Sequence, residues 1–155
     1  GVSGPAIYRH FPSKEALLVE LLVGISTRLL AGGREVVANA QDPRRALDGL
    51  IEFHLDFALG EPDLIRIQDR DLNNLPPAAK RQVRKSQRQY VEIWVDVLRR
   101  LNDSLDEGDA RVMAHAAFGL MNSTPHALKP NTKTTETNPR VILKAMTVAA
   151  LASVG

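Results

Sequence analysis

Residues 1–18 read GVSGPAIYRHFPSKEALL, and this stretch decides the architecture of the chain. Ser3 is placed to cap a short helix over residues 4–9, because a serine oxygen accepts a hydrogen bond from a free amide of the first helical turn. Pro12 disfavours helix in the residue before it, and Ser13 is placed to cap a second helix. The stretch therefore predicts two helices joined by a tight turn at residues 10–12.

The helical pattern continues to the end of the chain. Apolar residues recur three and four positions apart, and the alternation that marks β-strands is absent. The predicted helices cover about residues 13–39, 43–60, 62–72, 78–105, 109–124 and 139–155. Residues 125–139, rich in Thr, Asn, Pro and Lys, are predicted to form a surface loop. The sequence thus indicates an all-α fold of about eight helices.

The composition excludes several kinds of chemistry. The chain has no cysteine, so disulfides, thiolate metal sites and cysteine nucleophiles are ruled out. Its four histidines are scattered without metal-ligand spacing, and no glycine-rich phosphate loop or nucleophile motif is present. The acidic segment 106–109 fits a helix cap better than a catalytic site. We therefore expect no catalytic residue, no metal and no cofactor.

Charge and hydropathy give weaker indications. Twenty basic and 18 acidic residues leave a formal net charge of +2, too small to indicate a polyanionic partner by itself. The longest apolar run, residues 141–154, is interrupted by polar side chains and is shorter than the ~20 residues that span a bilayer. No membrane partner is expected. The absence of cysteine suits a reducing cytoplasm.

The opening stretch closely resembles the third helix and the start of the fourth in TetR-family transcriptional repressors. The shared pattern is a Gly-Val-Ser turn, then Tyr8-x-His10-Phe11, a small polar residue, Lys14 and a leucine pair. The resemblance in sequence covers about residues 1–22. It implies that residues 1–22 end a helix-turn-helix DNA-binding domain and that residues 23–155 form a helical ligand-binding and dimerisation domain.

The resemblance also implies a DNA contact surface. A helix-turn-helix places the start of its second helix in the major groove of double-stranded operator DNA. Small residues there permit close approach, apolar ones can contact thymine methyl groups, and basic ones can bind phosphate or guanine. The residues expected to contact DNA are Ser3, Gly4, Pro5, Ala6, Tyr8, Arg9, His10 and Lys14. Members of the family have two further helices before this point, so we expect only the full-length protein to bind an operator.

In this family the later helices form a pocket for a small-molecule effector. A mostly apolar cavity with a few polar groups is the usual form of such a site. The candidate ligand-binding residues are Phe53, His54, Phe57, Arg70, Tyr90, Trp94, Phe118, Met121 and Asn122, and His115 could join them. The alternative is that the aromatic residues and His54 belong to an ordinary core. Asn122 is the most informative, since a buried amide needs hydrogen-bond partners that a ligand could supply.

A basic stretch accompanies these candidates. It consists of Arg66, Arg70, Arg81, Arg84, Lys85 and Arg88. These side chains could bind the carboxylate or phosphates of an amphipathic effector such as an acyl-CoA, and an aromatic compound is the other effector class considered. The alternative is an ordinary solvated helix face.

The last two helices carry the signs of a subunit interface. Both are apolar or small on nearly every side, whereas the terminal helix of a monomer should show a polar face. Alanine-rich faces allow close approach in a symmetric four-helix interface, so a homodimer is expected. The predicted interface residues are Ala117, Leu120, Ile142, Ala145, Met146 and Ala149. The alternative is burial within one larger core.

These observations predict a bacterial, cytoplasmic and nucleoid-associated transcriptional regulator. The favoured function is repression that ends when a small amphipathic or apolar effector binds the helical domain. One alternative is a dimeric regulator or activator that acts without a ligand. A helical enzyme is the other, and no motif supports it.

Overall fold

The computed structural model describes residues 13–123 and 138–153. Every regular element in these two ranges is helical, as predicted. The α-helices are α1 (Lys14–Asn39), α2 (Pro43–Gly60), α3 (Pro62–Asp71), α4 (Pro77–Leu101), α5 (Glu107–Met121) and α6 (Pro139–Ala152), with a 3-10 turn at Leu72–Asn74. The predicted helix at residues 4–9 and nearly all of the predicted loop at 125–139 lie outside the described residues.

Side-chain caps begin several of the helices where the sequence placed them. The Ser13 side chain accepts a hydrogen bond from the Ala16 amide. The side chain of Asp42, the residue before Pro43, accepts one from the Arg45 amide. Asp106 accepts the Asp109 N–H at 2.8 Å. The acidic segment 106–109 is therefore a helix cap, as the sequence analysis favoured.

The boundary between α4 and α5 differs from the prediction. α4 ends at Leu101 instead of near residue 105, because the Asn102 side chain accepts the Ser104 N–H and so competes with the helical pattern. α5 begins at Glu107, two residues earlier than predicted, because Asp106 is its cap. Leu105, predicted to be helical, instead buries its side chain in the core from the intervening turn.

The helices enclose two separate groups of buried side chains. α4 lies at the centre and packs on α1, α2 and α5, while α6 packs on α5 and α2. The main core joins these helices and is made of Ala46, Leu47, Leu50, Ile51, Leu55, Tyr90, Val91, Trp94, Val95, Val97, Leu98, Leu105, Ala110, Ala114, Ala117, Met121, Leu143 and Leu151. The junction core lies nearer the start of α1 and is made of Leu22, Ile25, Leu75 and Val83.

A glycine pair sets how closely α1 approaches its neighbours. A Cβ atom at Gly32 would lie 2.2 Å from the Phe53 ring, and one at Gly33 would lie 3.0 Å from the Tyr90 ring. α1 continues through the pair to Asn39, the end that the sequence predicted. The absence of side chains lets two aromatic rings of α2 and α4 rest directly on the α1 backbone.

α1 is also the one helix of the described ranges that is long and apolar enough to cross a membrane, judged by length and composition only. Its apolar residues have another explanation, because α1 packs along α4 and α2 and supplies Leu22, Ile25 and Leu30 to the interior.

Candidate ligand-binding site

A cavity of about 280 Å³ lies between the two cores and touches all five helices from α1 to α5. Most of its wall surface is apolar, although eight of the thirteen wall residues carry a polar side-chain atom. They are formed by Ser26, Leu29, His54, Phe57, Ile65, Gln68, Asp69, Gln87, Tyr90, Val91, His115, Phe118 and Asn122. This composition is typical of sites for small organic ligands.

Three side chains on the cavity wall form a hydrogen-bonded chain. The distance from the Tyr90 hydroxyl to His54 Nδ1 is 2.9 Å, and that from His54 Nε2 to Asn122 Oδ1 is 2.8 Å. The Asn122 oxygen can only accept, so His54 Nε2 carries the proton. In the neutral ring Nδ1 is then an acceptor, and the Tyr90 hydroxyl donates to it.

The electrostatics of His54 agree with that assignment. Burial lowers its pKa from 6.5 to about 4, although the hydrogen bond to Asn122 acts in the opposite direction. The ring is therefore neutral at neutral pH. Burial also raises the pKa of the Tyr90 hydroxyl, which stays protonated and able to donate.

Aromatic rings pack closely around this chain. Phe118 stacks on His54 with 5.1 Å between ring centroids and on Tyr90 with 5.6 Å. Trp94 meets Phe118 edge-on at 5.2 Å from behind and is fully buried. The Trp94 indole nitrogen has no hydrogen-bond partner among the described residues. The indole lies near the Tyr90 hydroxyl and lowers the pKa of that hydroxyl, but by less than burial raises it.

Five of the nine candidate ligand-binding residues line the cavity. They are His54, Phe57, Tyr90, Phe118 and Asn122. The alternative for His54 is thus partly right, since it is a hydrogen-bonded buried histidine that also forms part of the wall. Asn122 was expected to need a hydrogen-bond partner, and His54 is that partner. Whether these residues bind a ligand is a proposal taken up below.

The other four candidates lie elsewhere and are corrections to the prediction. Trp94 and Met121 are fully buried in the main core, behind the wall. Phe53 packs against Gly32 of α1. Arg70 is exposed and forms an ion pair with Asp71 at 2.8 Å. Helical spacing identified the inward-facing side of each helix. It could not distinguish the side chains that line the cavity from those packed behind them.

Several wall residues were missed by the sequence analysis. They are Ser26, Leu29, Ile65, Gln68, Asp69, Gln87 and Val91. Ser26 carried a usable signal, because it is a polar residue on the apolar stripe of α1, four positions after Leu22. The two glutamines gave none, since an isolated polar residue on a surface helix is usually solvated.

Of the residues expected to contact DNA, Ser3 through His10 lie outside the described residues. Lys14 is described and is the exposed first residue of α1. Its charge contributes to lowering the pKa of Asp71, although the hydrogen bond from Arg70 is the larger cause.

The residues predicted for the dimer surface differ in their exposure. Ala117 is only 1% exposed and packs inside the main core, so its side chain cannot reach a partner, which corrects that prediction. Leu120 is half-buried, and Ala145 and Ala149 are exposed. Ile142 and Met146 are 48% and 50% exposed on the outer side of α6. Val112 and Val141 are exposed as well and were not predicted.

Ion pairs fix which side of α6 faces outward. Arg140 binds Glu52 at 2.7 Å and Asp56 at 2.5 Å on α2, and Lys144 binds Glu52 at 2.7 Å. These contacts hold the polar side of α6 against α2 while Leu143 and Leu151 enter the core. The remaining apolar residues of α6 are left on the surface of this chain.

The basic stretch does not act as one unit. Arg66 and Arg70 bind the carboxylates of Asp63 and Asp71, which agrees with an ordinary solvated helix face on α3. Arg84 and Arg88 instead border a recess next to the cavity. Among residues 13–123 and 138–153, no group of three or more His, Asp or Glu side chains could hold a metal ion.

Comparisons with known families cover most of the chain. The family model described as "Bacterial regulatory proteins, tetR family" matches residues 1–21, and the one described as "Tetracyclin repressor-like, C-terminal domain" matches residues 40–136. The HTH-type transcriptional repressor KstR2 of Mycobacterium tuberculosis is 30% identical over 111 residues, which are 70% of this chain and 53% of that protein. The chain thus spans about half the length of that relative.

Two further comparisons point the same way. KstR2 of Rhodococcus jostii is 25% identical over 99 residues, 63% of this chain and 48% of that protein. Among solved structures, a TetR-family regulator from Bordetella parapertussis has a TM-score of 0.81 at 22% identity and covers 96% of this chain and 77% of its own. The ketosteroid transcriptional regulator KstR2 of M. tuberculosis has a TM-score of 0.78 at 20% identity, covering 99% and 79%. At these identities the structural likeness shows the fold.

Proposed function

Since the chain belongs to the TetR family of bacterial regulatory proteins, we propose that the whole protein is a DNA-binding transcriptional repressor released from its operator by a small molecule. One observation carries the ligand part of this proposal. Ser26 and Leu29 of α1 line the cavity, and α1 follows directly on the residues that match the DNA-binding family model. A ligand in the cavity would therefore touch the helix that leads to the DNA-binding domain.

The relatives support repression over the alternatives. The matched KstR2 proteins are named repressors, and proteins of this family are regulators and not enzymes. We assign residues 1–22 to the end of the DNA-binding domain and residues 23–155 to the ligand-binding and dimerisation domain. The protein would act in the cytoplasm on double-stranded operator DNA.

The effector is proposed to have a compact apolar body and at least one polar group. The aromatic walls suit a flat or alicyclic body, and Asn122, Gln87 and His115 offer polar contacts. Acyl-CoAs and aromatic compounds are the effector classes considered from the sequence. One structural relative is a ketosteroid transcriptional regulator, so ketosteroids join the compounds to be tested.

The proposed mechanism is a shift between two domain arrangements. The effector must bind the DNA-incompetent arrangement more tightly, because only a difference in affinity can move the equilibrium. Besides Ser26 and Leu29, the Tyr90 ring offers a route to α1, since it lies against Gly33. A movement of α1 would change the spacing of two recognition helices, which must match operator half-sites about 34–36 Å apart.

A homodimer is part of this mechanism. We propose that the exposed apolar residues of α5 and α6 pair with the same surface of a second copy, with Leu120, Ile142, Ala145, Met146 and Ala149 at its centre. A twofold contact of this kind is self-complementary and would set the distance between the two DNA-binding domains.

The test is an operator gel shift with full-length protein on DNA from upstream of its own coding sequence, titrated with acyl-CoAs, aromatic acids and ketosteroids. We expect one class to release the DNA. The variant Gln87→Trp, which fills the cavity, should bind DNA but no longer respond. Gln82→Trp, on the exposed side of the same helix, is the control and should respond like the wild type.

Two outcomes would count against the proposal. If full-length protein binds none of its upstream DNA, the regulatory function is wrong. If DNA binding is normal but no compound and no cavity variant changes it, the protein is a regulator that acts without a ligand.

A further inference from the structure

A second recess at the protein surface adjoins the cavity. Gln87, Val91 and His115 line both spaces, so the cavity and the recess lie side by side. The recess has a volume of about 320 Å³. A ligand larger than the cavity could therefore reach from the cavity into this recess along the shared residues.

Arginines from two helices border this recess. Arg84 and Arg88 lie one turn apart on α4, and Arg111 lies one turn before His115 on α5. Residues four apart share one side of a helix, so these side chains converge on the same space. We call Arg84, Arg88 and Arg111 with this space the arginine recess.

The charges in the arginine recess are only partly balanced. Among the described residues that line it, the one carboxylate is Glu92, which accepts hydrogen bonds from Arg111 at 2.9 and 2.5 Å. Arg84 donates to the neutral side chain of Asn73 at 3.3 Å. Within the described part of the chain Arg88 forms no ion pair. Two guanidinium groups thus face the recess without a carboxylate partner.

The cavity itself offers no cation to an anionic group. Among the described residues that line it there is no arginine or lysine, whereas Arg84 and Arg88 border the recess. The charges therefore favour one orientation, in which the apolar body occupies the cavity and the anionic group points toward α4 and α5.

We propose that the arginine recess is an anion subsite of the effector, an inference that rests on the proposed function. The effector is then an amphipathic anion, and Arg84 and Arg88 bind its carboxylate or phosphate oxygens. A planar guanidinium suits both groups because it can donate two parallel hydrogen bonds. The two sources of such oxygens are a free acid and the phosphates of a coenzyme A thioester.

The experiment compares three ligands with the same alkyl chain: decanoic acid, decanoyl-CoA and uncharged decan-1-ol. Binding to full-length protein is followed by the fluorescence of Trp94, whose ring lies 5.2 Å from Phe118 on the cavity wall. The variant Arg84→Gln/Arg88→Gln should bind at least one of the anions about tenfold more weakly, the loss expected for a hydrogen bond to a charged group. Its affinity for decanol should not change.

The matched control is Arg81→Gln/Arg100→Gln. It removes the same charge from α4 outside the recess and should bind all three ligands like the wild type. Loss of decanoyl-CoA binding alone identifies the phosphates as the anion, and loss of decanoate binding identifies a carboxylate.

The proposal is overturned if the recess variant binds both anions as tightly as wild type, or if the control loses as much affinity. It is also overturned if none of the three ligands binds. The proposed repressor function would still stand after any of these results if an uncharged compound from the gel-shift panel, such as a ketosteroid, released the operator DNA.

Discussion

The main core and the junction core differ in size and in what they hold together. The main core contains 18 buried apolar residues of the described chain and joins α2, α4, α5 and α6. The junction core contains four and joins the first half of α1 to the start of α4 and the turn before it. Leu29 packs against both, beside the cavity that separates them. The end of the molecule at which α1 begins is thus the more weakly supported one.

This difference suggests which part can move. Regions with few buried apolar contacts open at lower free energy than a large core. α1 spans both regions, so its second half is anchored while its first half depends on the smaller cluster. A ligand between the two cores lies where a small change in packing has the largest effect on the direction of α1.

The largest expected effect tests the comparison directly, with the same substitution in each core. Leu50 in the main core and Leu22 in the junction core are both fully buried. Leucine-to-alanine changes at such sites cost about 2–5 kcal/mol, depending on how far the surroundings collapse. We expect Leu50→Ala to lie near the top of that range and Leu22→Ala near the bottom, measured by urea unfolding.

Amide hydrogen exchange adds a second criterion to this pair. Leu50→Ala should reduce protection throughout α2, α4 and α5, whereas Leu22→Ala should reduce it mainly in the first half of α1. Equal costs with the same loss of protection in both variants would show that the two cores unfold as one unit.

The next effect concerns His54, a buried residue of the cavity wall, and the pH dependence of the protein's stability. Because the pKa of His54 is about 4 in the folded state and 6.5 in the unfolded state, the unfolded chain binds the extra proton between these values. Stability should be complete above about pH 6.5 and fall by roughly 3 kcal/mol as the pH is lowered to 4.

Urea unfolding between pH 4 and 7 checks this pH dependence. His54→Gln should show a shallower slope across that window. An unchanged slope in His54→Gln would mean that this histidine is not held neutral by burial.

The smallest effect compares two glycines of the same helix. A Cβ at Gly32 would collide with Phe53 of the main-core side, so Gly32→Ala should destabilise by about 1–3 kcal/mol. Gly24, in the part of α1 next to the junction core, has open space around it. Gly24→Ala should stabilise by about 0.5–1 kcal/mol, because alanine favours helix. Thermal unfolding of both variants distinguishes the signs, and stabilisation by both would mean that Phe53 moves freely.

Much of the fold followed from local sequence signals. The caps at Ser13, Asp42 and Asp106 each depend on a side chain and an amide three residues away, so they could be read without the tertiary structure. The end of α4 was predicted too far along the chain because Leu105 continues the apolar spacing. The helix ends earlier because the Asn102 side chain accepts a local hydrogen bond from the Ser104 amide.

The site was only partly predictable. Periodicity identified the sides of α2, α4 and α5 that turn inward, and therefore His54, Tyr90 and Phe118. It could not distinguish the wall from the layer behind it, and so Trp94 and Met121 were included. The contribution of α3, through residues such as Gln68, depends on how that short helix crosses the others.

The sequence by itself determined the family, the helical class and the order of the helices, because these depend on motifs and spacings within one segment. Only the tertiary structure decided that His54 joins Tyr90 and Asn122, residues 36 and 68 positions away. It alone placed Arg84 and Arg88 of α4 and Arg111 of α5 around one recess. Contacts between distant segments depend on how helices pack, and apolar spacing fixes which face is buried but not which side chains meet there.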